Sequence, residues 1–475
     1  MRLRAEMLTL IRLALPVALA QLLTAAAGLV DTLMAGRAGV ADLAGVSLGS
    51  ALWLMLSIGV MGLFMAVNPI VGHYAGAGRY GQISNFMHQS TRVAVASAVL
   101  LFILLRLHPW YLPAIIDDVQ IVIVAGGYLN GFSWGVPALV GTFLLRPYSE
   151  GLSFTRSHLI ASLVSLAVNV PANYALIFGN WGAPALGGAG AGWATALSFW
   201  AAFAVMILFS RHHRAYERAS LWHALHPWDR NELKHLLRVG LPIALTLFVE
   251  VSIFALIALF LGGRPSTEIA ANQIAMNVAY LVFTLPLSIS VAATIRVGTE
   301  IGAGRLDGAR RVALATILLA IVAVAFNIGL LASLADEIAA LYTHDEEVAR
   351  MAARLLLFAA LFQLADAFVV PAQGALRGYK DTLVPLLLAV LAYWLITLPL
   401  GYILGLSNAF GEPMGAEGFW IALVVGLSLS GILMTTRLWR IGRAPFLIRF
   451  EPVPTRRCLW RNLNLRDKSG SLNKF

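Results

Sequence analysis

Apolar residues run along this chain in long unbroken stretches rather than in alternation. Twelve stand out, at about 11–36, 43–72, 90–107, 119–145, 158–178 and 189–210, then at about 239–262, 269–295, 312–334, 351–372, 383–406 and 416–438. Polar or Gly/Pro-marked breaks separate them. Each is long enough to cross a hydrocarbon core of roughly 30 Å as a helix. Transmembrane β-strands would show weaker patterning with period two. The pattern therefore predicts an all-α polytopic membrane protein with twelve transmembrane helices. The opening Met1-Arg2-Leu3-Arg4 looks like the start of a signal peptide, but the apolar run continues past any ordinary cleavage site and is read as the first helix.

Composition agrees. Of 475 residues, 59% are hydrophobic and 12% charged, against about half and about a quarter in soluble domains. This excludes an ordinary cytosolic enzyme, a disulfide scaffold and a disordered chain. One cysteine, Cys458, leaves no intrachain disulfide and no paired-cysteine metal motif. The net charge of +10 is read as membrane topology, with no nucleic-acid partner expected. The N-terminus, the even-to-odd loops and the C-terminus together hold 29 of the 34 Lys and Arg residues. The other side holds five: Arg37, Arg106, Arg264, Arg350 and Arg354. Both termini are therefore expected in the cytoplasm, with the chain multi-pass in the inner membrane.

The chain repeats. Leu15-Pro16 recurs as Leu241-Pro242, an offset of 226. At the same offset Gly36 meets Gly262, Val71-Gly72 meets Val297-Gly298, and Gly76-Ala77-Gly78-Arg79 meets Gly302-Ala303-Gly304-Arg305. Later anchors drift slightly: Leu145-Arg146-x-Tyr148 resembles Leu376-Arg377-x-Tyr379, and Trp193 corresponds to Trp420. Two six-helix lobes of like orientation follow, at 1–210 and 239–438, with a cytoplasmic linker at 211–238 and a basic tail at 439–475. Transporters often carry such repeats, with sites between them near the midplane.

No P-loop, zincin or nucleophile-elbow motif occurs, so no ATP-driven or hydrolytic chemistry is expected. Energy would come from an ion gradient. Histidines cluster in the linker (His212, His213, His223, His226, His235) and are read as solvated. Three acids fall inside apolar helices: Asp31, Glu250 and Asp366. An ionisable group at such depth is costly and marks function. Glu250 lies 12 residues after Arg238 and 14 before Arg264, roughly 18–21 Å from either flank. Asp366 sits 12 after Arg354 and 11 before Arg377. Such a carboxyl either stays protonated or holds a cation, and both behaviours make a coupling-ion site. Asp31 has two readings. It pairs with Arg37 near the surface, or it joins Asn169 and Asn173, which share a helix face around Pro171. On the eighth stretch Asn272, Gln273, Asn277 and Tyr280 form a polar stripe, read as cavity lining or as interhelical glue. Phe248, Phe254, Met276, Phe283, Phe358 and Phe362 offer apolar and cation–π surface to a lipophilic cation.

Val30-Asp31-Thr32-Leu33-Met34-Ala35-Gly36, the segment from Leu241-Pro242 to Glu250, and Leu376-Arg377-Gly378-Tyr379-Lys380-Asp381 together resemble the multidrug and toxic compound extrusion (MATE) family. The NorM-type bacterial branch is the nearest, and the likeness extends to about residue 440. The resemblance implies a V-shaped fold of two lobes around a central cavity. It also implies efflux of small organic cations, drugs and dyes, in exchange for H⁺ or Na⁺ by alternating access. No cofactor beyond the coupling ion and no enzymatic activity are implied, and a monomer is expected. The family's second-lobe cation site maps onto Glu250 and Asp366, which would be the metal ligands if Na⁺ is coupled. Its first-lobe cluster maps onto Asp31, Asn169 and Asn173, with Thr195 beside them. One departure is visible. Sodium-coupled members carry a tyrosine where this chain has Phe362, which removes a hydroxyl ligand and tilts the expectation toward H⁺. A lipid-linked precursor flippase of the wider superfamily and a channel are the alternatives. The flippase would favour arginines in the cavity, whereas the spans here hold acids.

Overall fold

The computed structural model describes residues 2–219, 221–222, 226–409 and 411–443, so Cys458 and most of the 439–475 tail lie outside the described residues. Every described element is helical. The first half holds α1 (Arg2–Ala38), α2 (Val40–Met65), α3 (Val67–Gly76), α4 (Tyr80–Arg106), α5 (His108–Ile115), α6 (Val119–Ser133), α7 (Val136–Gly151), α8 (Arg156–Phe178) and α9 (Gly188–His212). The second holds α10 (Arg230–Leu261), α11 (Ser266–Gly302), α12 (Leu306–Ser333), α13 (Ala335–Tyr342), α14 (Glu346–Gly378), α15 (Leu383–Ala389), a π-helical segment Val390–Thr397, α16 (Leu398–Leu406) and α17 (Ala416–Arg443). Eleven helical stretches are long and apolar enough to cross a membrane, and α6 with α7, bent by 54°, makes the twelfth. The expected twelve spans are all present.

Local chemistry sets the ends. Asp118, Asp229 and Asp345 cap α6, α10 and α14 by accepting from the first free backbone N–H groups. Gly78 (φ +69°) and Gly304 (φ +73°) turn the chain at the two repeated GAGR sequences. The repeat also governs caps on the opposite face. Asp42 of α2 accepts from the Gly188 N–H that opens α9, and Glu268 of α11 accepts from the Ala416 N–H that opens α17. Asp42 and Glu268 are 226 residues apart, the offset of the repeat.

Two apolar cores form, one per lobe, and each borrows the start of the other lobe's first helix. Leu10, Leu13 and Val17 of α1 are buried in the second core. Leu236, Val239 and Ile243 of α10 are buried in the first. Further along, α1 returns to pack on α8 and α9, while α10 packs on α15 and the π-helical segment. The lobes are thus joined at the GAGR face, and their first helices diverge toward the opposite one.

The junction is a reciprocal crossing. A Cβ on Gly76 would strike the Thr299 carbonyl, and one on Gly302 would strike the His73 carbonyl. His73 and Thr299 are again 226 apart. Only glycine lets the backbones approach this closely. His73 Nε2 also lies 2.7 Å from the Gly378 carbonyl at the end of α14. Arg296 of α11 pairs with Glu6 of α1 at 2.9 Å and with Glu300 at 3.1 Å.

Candidate functional site

In the first lobe, α1, α8 and α9 bring four polar side chains together. Asp31 Oδ1 accepts from Asn169 Nδ2 (3.0 Å) and Asn173 Nδ2 (2.6 Å), and Asp31 Oδ2 accepts from the Thr195 hydroxyl (2.9 Å). Asn173 Nδ2 also reaches Asn169 Oδ1 at 3.1 Å. The i,i+4 spacing puts both amides on one face, and all three partners are buried. Among the described residues Asp31 makes no ion pair with Arg37, so of the two readings of Asp31 the amide cluster is the one realised.

In the second lobe the acids come from α10 and α14. Glu250 Oε1 accepts from Gln373 Nε2 at 2.8 Å. Asp366 is 2% exposed, and its Oδ2 has no hydrogen-bond partner. The two carboxyls lie within electrostatic reach of each other. Burying a charge without a partner is prohibitive, so Asp366 needs a proton or a cation.

Three neighbours were not anticipated from the sequence. Gln363, fully buried three residues before Asp366, has both amide atoms unpartnered. Tyr393, also buried, sits in the π-helical segment within electrostatic reach of both acids. Such a bulge turns a side chain out of α-helical register and recurs at functional sites. Arg377, counted as flanking charge, is 6% exposed and electrostatically coupled to Glu250. Its counterpart in the first lobe, Arg146, pairs with Glu150 at 2.9 Å. The matching acid in the second lobe, Asp381, is taken by Arg437 at 2.8 Å. A polar residue inside an apolar run was the available signal for Gln363. Tyr393 had none, because a tyrosine among leucines reads as packing.

The residues expected to line a drug cavity separate into groups. Gln273, Asn277 and Tyr280 are exposed along one face of α11, with Gln273 and Asn277 joined at 3.3 Å. Polar side chains do not face lipid by choice, so this face suits a wet cleft. Asn272 behaves as glue: it is buried and accepts from the Trp420 indole N–H at 3.1 Å. Phe362 is buried edge-on against Trp420, with ring centroids 6.0 Å apart, so it offers no surface to the cleft. Phe248 is 43% exposed, but it sits two residues from Glu250 and so points to the other side of α10.

A model of the MatE family matches residues 16–175 and 242–403, so the unmatched stretch between them holds α9 and the linker. The chain is 41% identical to the probable multidrug resistance protein NorM of Shewanella oneidensis over 429 residues, which is 90% of this chain and 94% of that protein. It is 39% identical to the multidrug resistance protein MdtK of Yersinia pestis over 446 residues, 93% of this chain and 96% of that one. The fold is similar to that of the eukaryotic MATE transporter AtDTX14, with a TM-score of 0.79 at 20% identity over 93% of this chain and 99% of that one.

Proposed function

The chain belongs to the MatE family, and we propose that it is a secondary multidrug efflux antiporter that exports organic cations in exchange for an inward-moving H⁺ or Na⁺. One observation carries the reading: Asp366, buried in a spanning helix with an open carboxyl oxygen, stands beside Glu250. The relatives' names, multidrug resistance protein, support the substrate class. The arginine bias assigns the GAGR face and both termini to the cytoplasm of an inner-membrane protein. With the lobes joined at that face, the state described is closed to the cytoplasm.

In the cycle, an external cation reaches Glu250 and Asp366 and neutralises them. The attraction for a cationic drug falls, and the drug leaves outward. Opening of the GAGR face then releases the coupling ion to the cytoplasm and restores negative charge for the next drug. The ion drives this exchange only through its different affinity for the two states.

Fluorescent-cation transport by purified protein in proteoliposomes tests the proposal, with a pH gradient alone and then a Na⁺ gradient alone at clamped membrane potential. Transport driven by either gradient supports it. Transport under neither would overturn the antiport reading.

A further inference from the structure

The linker between the lobes is fastened to the first lobe at two places. The Tyr148 hydroxyl of α7 donates to the Ala219 carbonyl at 2.7 Å. From α4, Gln89 Nε2 donates to the Pro227 carbonyl and Arg92 Nη2 to the His226 carbonyl, both at 2.7 Å. Between these ties Leu221 and Trp222 lie at the linker end of a groove in the first lobe.

The groove forms because α4 and α9 each pack on α7 rather than on each other. Its floor is made of small residues. Ala94 and Ala98, one turn apart on α4, are buried, and Gly141 of α7 meets the Phe203 ring of α9 so closely that a Cβ would strike it. Val95 and Val99 stand exposed beside that floor. The groove encloses about 730 Å³ and runs along α4 from His88 to Phe102, roughly 21 Å of helix. One leaflet of hydrocarbon is about 15 Å deep. Apart from His88, Thr91 and Trp222, every lining side chain is hydrocarbon. None belongs to α1, α10 or α14, which carry Asp31, Glu250 and Asp366, so the groove is separate from both carboxyl sites.

The linker end carries charge. Arg211, near the end of α9, sets its guanidinium over the Trp222 ring, 5.7 Å from the centroid. It is exposed and makes no ion pair among the described residues. Tryptophan and arginine at the edge of a hydrocarbon trough match the junction of an acyl chain and a phosphate. The second lobe repeats the pattern. A groove between α14 and α17, the repeat counterparts of α7 and α9, reaches Trp439, and Arg443 lies 3.5 Å from that ring centroid. Any lipid could fill such a trough. A zwitterionic one brings its own ammonium to compete with Arg211, whereas an anionic one does not.

We propose that the groove between α4, α7 and α9 is a binding site for one anionic phospholipid of the cytoplasmic leaflet, with an acyl chain along Ala94 and Ala98 and the phosphate on Arg211. The choice of leaflet rests on the topology assigned above, and the binding is independent of the antiport reading.

The test is photolabelling of the delipidated full-length protein in neutral detergent. The probes are phosphatidylglycerol and phosphatidylcholine of identical chains, each with a diazirine on one acyl chain, and labelled peptides are mapped by mass spectrometry. Wild type should be labelled on α4, α7 or α9, with half-saturation at a lower concentration of phosphatidylglycerol than of phosphatidylcholine. Arg211→Gln should raise the phosphatidylglycerol value about fivefold, the worth of one arginine near an anionic headgroup, and leave label on α14 and α17 unchanged. Arg211→Lys should keep the preference. Ala98→Phe fills the trough and should abolish label on α4. If it does not purify as a folded species, Val99→Trp, at an exposed position beside the floor, should act in the same sense. Equal half-saturation by the two lipids in wild type, an unchanged preference in Arg211→Gln, or label confined to other helices would overturn the inference.

Discussion

Asp31 in the first lobe accepts three hydrogen bonds, from Asn169, Asn173 and Thr195. Asp366 in the second lobe keeps an oxygen that nothing meets. The scaffold around them is nearly symmetric: the GAGR turns, the crossing glycines and the capping acids Asp42 and Glu268 all recur at one offset. The chemistry is not. Adding 226 to Asp31 gives Ile257, and subtracting it from Glu250 gives Thr24. Even a duplicated arginine has diverged, since Arg146 has its own acid while Arg377 faces Glu250. Duplication supplied a frame that two lobes can hinge on, and each lobe then acquired a different centre. The first is a carboxylate held ready by fixed donors. The second sets Glu250, met by Gln373 and Arg377, beside an Asp366 whose open oxygen needs a proton or a cation.

That contrast can be broken most directly by removing the charges. Glu250→Gln and Asp366→Asn should each cut gradient-driven efflux to the level of empty liposomes, ~100-fold or more, with membrane insertion intact; Asp31→Asn, which keeps an oxygen for the two amides while the Thr195 hydroxyl turns to accept from the new NH2, should cost only about tenfold. Equal losses in all three would erase the distinction. Next comes the symmetric frame. Gly76→Val and Gly302→Val force a side chain into the partner's carbonyl, and overpacking of this kind costs about 1–3 kcal/mol. Both should lower thermal stability in detergent and stop transport to a similar degree, and a large difference between them would show that the crossing is not two-fold. A smaller effect is expected at the caps. Glu268→Gln loses the charge of the Arg264 pair at 2.9 Å and weakens the Ala416 cap, whereas Asp42→Asn weakens a cap alone, worth about 1 kcal/mol. Melting curves should rank Glu268→Gln below Asp42→Asn, with transport retained in both.

The smallest effect concerns pH. Asp229 caps α10, and the Asn85 side-chain amide at 2.9 Å, with the backbone N–H groups it accepts from, holds its carboxyl below the usual range. A depressed carboxyl stabilises the fold above its unfolded value, about 3.9, and that contribution is lost as pH falls below it. Wild type should therefore lose slightly more thermal stability between pH 5 and pH 3 than Asp229→Asn does. Equal losses would place the acid sensitivity elsewhere.

Much of this was written in order along the chain. The spans were legible because each insertion decision depends on about 20 contiguous residues. The Glu250 and Asp366 positions were legible because an acid in an apolar run stands out. Asn169 and Asn173 could be tied to one face by their spacing. Phe362, Phe248 and Asn272 were harder. Whether an aromatic or amide on a membrane helix meets a cleft, a lipid or another helix depends on its rotation against neighbours, and an all-apolar helix carries almost no periodic signal to fix it. The polar stripe consequently divided, with Asn272 bound to Trp420 and Gln273, Asn277 and Tyr280 left exposed.

The sequence by itself determined the number of crossings, the duplication into two lobes and the residues too costly to be idle, because these follow from local transfer free energy and from repetition. Only the tertiary structure decided that α1 and α10 start in each other's cores, that Arg377 faces Glu250 rather than Asp381, and that Tyr393 lies within electrostatic reach of both acids. Those outcomes depend on close packing between helices far apart in the chain, where a missing Cβ or a π-helical turn sets which side chains meet.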